Sequence, residues 1–254
     1  MTGVTTKWGV SKHCPGAKVR LLCLPYAGGG ARAYAGWKFD GDIQVTPLRL
    51  PGREERLDEL PYGSVDAAVE AIVSLKEVFE PLPYIIFGHS MGAIIGFELA
   101  RAVRGCNCQQ PLALFVSGSP GPRSQKADCR SSELTEADLV SKLRWLGGTP
   151  EIILEDKDML EMLLLSLRAD LAMIENYKYR EAPLLECPIF GFCGTEDRSA
   201  SRSSMQLWEH ETSAEFEVQL IPGGHFFLNS ARAVLLRVLA QSIAKVVSGL
   251  PGPR

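Results

Sequence analysis

Apolar positions along the chain fall into two alternating patterns. Short apolar runs at 19–24, 44–48, 84–87, 112–117, 189–193 and 217–221, several of them nearly all apolar, predict strands. Longer stretches at 65–79, 91–103, 133–145, 156–175 and 231–247 repeat their apolar residues every three or four positions and predict helices. Strands separated by helices are the signature of crossover units, and strands that are apolar throughout must be covered on both faces. The expected fold class is therefore α/β, a mostly parallel central sheet flanked by helices, in one domain spanning 1–254.

The alternation breaks once. Between 117 and 189 lie two helical patterns and no convincing strand. Ser132-Glu133-Leu134-Thr135-Glu136-Ala137-Asp138 supplies an N-cap and first-turn acids for the earlier helix. The later helix is apolar around much of its circumference, which a surface helix packing one stripe would not need. Two readings remain open, a fully buried core helix or a lid. In the second, an insertion at about 121–177 presents Met159, Met162, Leu163 and Leu167 to an apolar substrate.

Composition narrows the class without naming a function. The 254 residues are 46% apolar and 22% charged with a net charge of -3, an ordinary soluble balance that excludes fibrous and disordered chains. That many residues can build a core without disulfides or metals. Mild acidity disfavours nucleic acid as a partner, since phosphate binding needs a basic excess. The seven cysteines show no framework spacing. Cys23, Cys187 and Cys193 read as small buried hydrophobes, and Cys106 and Cys108 stand too close for a ligand pair, so no metal or cofactor is expected. No repeat, signal-like stretch or membrane-length apolar run is present, so the expected protein is cytoplasmic and has no membrane partner.

Chemistry enters at Gly88-His89-Ser90-Met91-Gly92, directly after one predicted strand and at the start of a helix. This is G-x-S-x-G in the strand–turn–helix context that makes a nucleophile elbow. So sharp a turn strains the serine backbone and requires small residues two positions to either side. The following helix N-terminus adds positive potential where an oxyanion would form.

A nucleophilic serine needs a base, and there are four histidines. His13 lies in a polar terminal segment, His89 would point to the other side of the turn, and His210 sits in the charged run Trp208-Glu209-His210-Glu211. His225 remains, on a loop after a late strand and ahead of the last helix. The third member should be an acid on a loop between serine and histidine in the chain. Gly194-Thr195-Glu196-Asp197-Arg198 offers two. Asp197 is preferred to Glu196 because a shorter side chain at the turn is held more rigidly. For the oxyanion, the amide of Met91 gives one donor. The glycine run after Leu24 gives another, nominally Ala27, with Tyr26 as the alternative.

These segments together resemble the stand-alone type II thioesterases of polyketide and nonribosomal peptide synthases, relatives of the thioesterase that releases medium-chain fatty acids. The resemblance is carried by Pro25-Tyr26-Ala27-Gly28-Gly29-Gly30-Ala31, Leu50-Pro51-Gly52-Arg53-Glu54-Glu55-Arg56 and the elbow itself. Leu146-Gly147-Gly148-Thr149-Pro150-Glu151, Leu167-Arg168-Ala169-Asp170 and Pro222-Gly223-Gly224-His225-Phe226-Phe227-Leu228 complete it. It implies an α/β-hydrolase fold with a helical lid before the acid-bearing strand. It further implies a triad at Ser90, Asp197 and His225, oxyanion donors at Ala27 and Met91, and no cofactor. The implied reaction is hydrolysis of acyl groups from the phosphopantetheine arm of a carrier protein by a monomeric enzyme. The sequence departs from the family at Arg198, where a proline usually follows the acid, and at 104–111, which matches no family motif.

Three rivals share the scaffold: a carboxylesterase or lipase, an acyltransferase, and an idle scaffold for protein interaction. The Pro-Tyr-Ala-Gly-Gly loop disfavours the first, which commonly carries His-Gly-Gly-Gly, and a complete triad disfavours the last. Carrier proteins are acidic and so is this chain, so docking needs a local basic patch, for which Arg123, Lys126 and Arg130 are the candidates.

Overall fold

A computed structural model describes residues 4–11, 14–39, 42–75, 79, 81–106, 108–124 and 130–248. An antiparallel hairpin, β1 (Val4–Thr6) and β2 (Gly9–Ser11), leads into six parallel strands. These are β3 (Val19–Leu24), β4 (Ile43–Pro47), β5 (Tyr84–His89), β6 (Leu114–Ser117), β7 (Ile189–Gly194) and β8 (Phe216–Ile221), in the order β4-β3-β5-β6-β7-β8. All six predicted strands are present, with ends moved by two residues or fewer. The main helices are α1 (Val65–Val73), α2 (Met91–Ala102), α3 (Glu136–Leu146), α4 (Glu151–Glu155) and α5 (Lys157–Glu175). Three more, α6 (Arg202–Gln206), α7 (Phe227–Ser230) and α8 (Arg232–Ser248), complete the chain.

The sheet divides the core by the two-residue period of its strands. On β3, Leu22 and Leu24 join the cluster under α1 and α2, while Val19, Leu21 and Cys23 face the cluster under α8. Strand β7 does the same, sending Ile189 and Cys193 one way and Phe190 and Phe192 the other. This double coverage is why the inner strands β3, β5, β6 and β7 read as nearly continuous apolar runs. It also fixes register: in a sheet buried on both faces, a one-residue slip would exchange the two cores.

Parallel pairing brings the carboxyl ends of β3, β5, β7 and β8 to one edge. The chain goes from β3 outward to β4, then returns to the other side of β3 as β5. Loops after β3 and β5 therefore diverge from adjacent strands and leave a crevice at the switch point, where open α/β sheets bind ligands.

Between β6 and β7 the chain builds α3, α4 and α5, with a small core of their own that includes Leu139, Leu143, Leu154, Leu160, Leu164 and Leu167. Two helices are predicted here and three are present among the described residues, because α4 is a five-residue segment too short to show a period. Helix α3 starts later than expected: Thr135, not Ser132, is its cap, accepting from the amide of Asp138 at 3.2 Å. Helix α1 stops at Val73, short of the predicted 79. Cys106 and Cys108 are joined in a disulfide, Cys23 and Cys193 are buried, and Cys187 is half-buried. Among the described residues no helix is long and apolar enough to cross a membrane.

Candidate active site

Ser90 sits between the end of β5 and the first turn of α2, with φ 53° and ψ -115°. This positive-φ conformation, outside the regions that side-chain-bearing residues favour, is costly and persists only where the surroundings fix it. Its amide donates to the carbonyl of Ser117 on β6 at 2.7 Å. A methyl group at Gly92 would run into the carbonyl oxygen of Leu24, and one at Gly88 into the backbone of Gly92. The motif's small residues are thus required by close backbone approach.

His225 follows β8, and its Nδ1 lies 2.8 Å from Oδ2 of Asp197, which follows β7. The other carboxylate oxygen, Oδ1, accepts the amides of Ser199 at 2.8 Å and Ala200 at 3.1 Å. Asp197 is therefore buried but fully hydrogen-bonded, as a buried carboxylate must be. The two loops are stitched together: Thr195 donates its amide to Ile221, and Glu196 donates its amide to Gly223, each at 2.9 Å. Glu196 itself is exposed, so of the two candidate acids only Asp197 meets the imidazole.

Ser90, His225, Tyr26, Ala27 and Met91 line one cavity of about 220 Å³. The amides of Ala27 and Met91 donate to no protein group among the described residues, which leaves both available to an oxyanion. A second recess of about 140 Å³ also reaches His225, bordered by Trp145, Glu196 and Arg198.

His89 is fully buried beneath the histidine loop, its ring centroid 5.0 Å from that of His225. Its Nδ1 pairs with the Ser117 hydroxyl at 2.9 Å. Burial, reinforced by the nearby His225, holds its pKa well below the usual histidine range, so this imidazole is neutral. His210 is exposed beside Glu209, and His13 lies outside the described residues.

The expected acyl-facing residues divide. Leu163 and Leu167 turn inward: both would touch a side chain at Gly28, and Leu167 lines the cavity. Met159 and Met162, 41% and 44% exposed, lie on the outer side of α5, which corrects the expectation that they face substrate. At 100° per residue, the inward arc runs through Leu160, Leu163, Leu164, Leu167, Leu171 and Ile174; Met159 falls at its margin and Met162 beyond it. The apolar wall instead includes Leu143, Leu146, Leu171 and Ile174, which sequence reading did not single out. The i, i+4, i+7 series 167, 171, 174 carried that signal.

The proposed docking cations do not form a free patch. Arg123 is bonded to Glu211 at 2.8 Å and Glu181 at 2.7 Å, and Arg130 to Glu133 at 2.8 Å. Lys126 lies outside the described residues.

Comparison with known proteins bears on this geometry. Residues 19–243 match the thioesterase domain family. The chain is 38% identical over 245 residues to the gramicidin S biosynthesis protein GrsT of Aneurinibacillus migulanus, covering 95% of this chain and 96% of that one. It is 34% identical to the medium-chain S-acyl fatty acid synthase thioesterase of Rattus norvegicus, covering 84% and 83%. Among solved structures, the type II thioesterase BorB from the borrelidin biosynthetic cluster superposes with a TM-score of 0.83 at 32% identity, covering 92% and 96%.

Proposed function

The chain belongs to the thioesterase family, an α/β-hydrolase that cleaves thioesters, and on that premise we propose that it frees acyl or aminoacyl groups from the phosphopantetheine arm of a carrier protein in polyketide or nonribosomal peptide assembly. The observation that carries this reading is the convergence of Ser90, His225 and the unengaged amides of Ala27 and Met91 on one cavity, with Asp197 behind the histidine.

In the proposed mechanism, His225 takes the proton of Ser90 as the hydroxyl oxygen attacks the thioester carbonyl. With Nδ1 committed to Asp197, Nε2 is the nitrogen left for serine. Asp197 fixes that tautomer and stabilises the imidazolium without taking the proton. The two amides receive the oxyanion, the thiol departs, and water activated by His225 hydrolyses the acyl-enzyme. A thiol of pKa about 8.5 is a good leaving group, so little general-acid help is needed at that step.

The two recesses that share His225 suit the two halves of such a substrate. Leu143, Leu167, Leu171 and Ile174 offer an apolar wall to the acyl chain. The smaller recess offers Trp145 and the exposed Arg198, which has no acidic partner among the described residues, to the arm and its phosphate. The helical insertion at 121–177 then acts as a lid that admits the arm and excludes water.

The test is release of free acid from carrier proteins loaded with short, long and aminoacyl groups. Ser90→Ala should abolish release while leaving thermal stability unchanged; retained turnover would remove the nucleophile assignment. Arg198→Glu should raise KM for the carrier substrate and leave KM for a small thioester unchanged. Equal effects on both would count against arm binding there.

A further inference from the structure

Two segments that the triad does not use, Leu50-Pro51-Gly52-Arg53-Glu54-Glu55-Arg56 and Leu167-Arg168-Ala169-Asp170, meet beneath the loop that follows β3. Arg53 and Asp170 are both buried and paired through two bonds, Nη1 to Oδ2 at 2.6 Å and Nη2 to Oδ1 at 2.8 Å. Neither spends its remaining capacity on solvent. Asp170 Oδ2 also accepts the amide of Gly28 at 2.8 Å, and Arg53 Nη1 also donates to the carbonyl of Gly29 at 2.8 Å. One ion pair thus grips both sides of the turn Tyr26-Ala27-Gly28-Gly29, which is closed by the Gly29 amide on the Tyr26 carbonyl at 2.9 Å.

The turn is of the kind that requires a positive φ at its third residue, and Gly28 has φ 73°. Its farther end is tied as well: Glu54, next to Arg53 and itself at φ 50°, accepts the amide of Arg32 at 2.8 Å and is fixed by Arg49 at 2.8 Å. In a loop so gripped, the Gly28 amide points at Asp170, and the residue before it, Ala27, borders the cavity with an amide that has no partner among the described residues. A buried pair is a costly way to stabilise a fold, and its best-attested use is to impose one arrangement over competing ones.

We propose that Arg53 and Asp170 are positioning residues for the oxyanion hole, fastening the Ala27–Gly29 turn to helix α5 so that the Ala27 amide is held at the reacting carbonyl. This rests on the reading of Ser90 and Ala27 given above. It also makes the Asp170 end of α5 a fixed part of the site rather than a moving cover.

The test compares ligands that do and do not develop the oxyanion. An alkyl boronic acid adds to the serine as a tetrahedral anion, whereas a thioether analogue of the substrate binds without adding. Asp170→Asn and Arg53→Lys are measured with a small thioester, and Arg53→Gln/Asp170→Asn, which leaves no lone buried charge, replaces any single variant that does not fold. The expected result is a fall in kcat of about 10- to 100-fold, the scale of a small misplacement of a catalytic group. KM and thioether affinity should be unchanged, boronate affinity should weaken in parallel with kcat, and Arg53→Lys should retain more activity than Asp170→Asn. Folded variants with wild-type kcat, or a fall in kcat without weakened boronate binding, would overturn the proposal while leaving Ser90 in place. A wild-type enzyme that takes no boronate, or a Ser90→Ala variant that still turns over, would overturn the underlying site reading and the proposal with it.

Discussion

Every residue of β3, β5, β6 and β7 is buried, whereas α5 in the helical insertion leaves Met159, Met162 and Leu165 between 41% and 67% exposed. The two regions meet at one cavity but supply it differently. The sheet edge contributes Ser90, Asp197 and His225 from loops whose backbones are tied to neighbouring strands. The insertion contributes apolar wall from helices held by a small separate core. On the proposed reading, chemistry that tolerates little displacement sits on the over-determined element, and the acyl wall sits on an insertion with a small core of its own.

If that division is right, the largest loss should come from the sheet edge. Asp197→Asn should lower kcat by about 10⁴-fold, the cost of the wrong histidine tautomer in a related triad, whereas the exposed Glu196→Gln should change little. Kinetics on a small thioester would decide it, and the reverse order would shift the acid to Glu196.

Stability should divide along the same line. Phe192→Ala, in the sheet core, should cost about 3–5 kcal/mol, while Leu165→Ala on the outer side of α5 should stay within about 0.5 kcal/mol. Urea midpoints measure both. Comparable losses would mean that the insertion folds as tightly as the sheet.

A third test uses protons. His89 is held neutral by burial, so its folded pKa lies below its unfolded value near 6.5. Above that pH neither state binds the proton and the residue costs nothing. Below it the unfolded chain takes up a proton that the folded one refuses, so stability falls by about 1.4 kcal/mol per pH unit. Urea midpoints between pH 7.5 and 5 should show the decline, and His89→Asn should lessen it. An unchanged slope in the variant would place the acid sensitivity elsewhere.

The regions also differ in what their sequence discloses. The inner strands announce themselves because burial on both faces leaves them mostly apolar, and the elbow announces Ser90 because backbone contact excludes anything larger than glycine two positions to either side. His225 and Asp197 follow by elimination and chain order. The insertion is less legible. Helix α5 also carries apolar residues outside its inward arc, Met162 and Leu165 among them, so the pattern of apolar residues alone does not separate the arc that faces the cavity from the outer one. Nor could the Arg53–Asp170 pair be read, since 117 residues separate two charges that sequence alone would assign to solvent.

The smallest predicted effect addresses the wall itself. Leu171 borders the cavity and is half-buried, so Leu171→Trp should fill acyl space rather than core. Each CH₂ that no longer fits forfeits about 0.8 kcal/mol of burial, or about fourfold in kcat/KM. Activity on long acyl groups should therefore drop by that factor per excluded carbon while the shortest substrates keep their rate. Met162→Trp, on the outer side of the same helix, should leave the acyl-length profile as it is. If Leu171 merely packs the insertion onto the body, Leu171→Trp would instead overpack it, cost about 1–3 kcal/mol of stability and leave the profile unchanged. Melting temperature measured beside the acyl-length profile separates the cases. A falling melting temperature with a flat profile would deny the insertion its part in substrate choice and leave selectivity with the sheet edge.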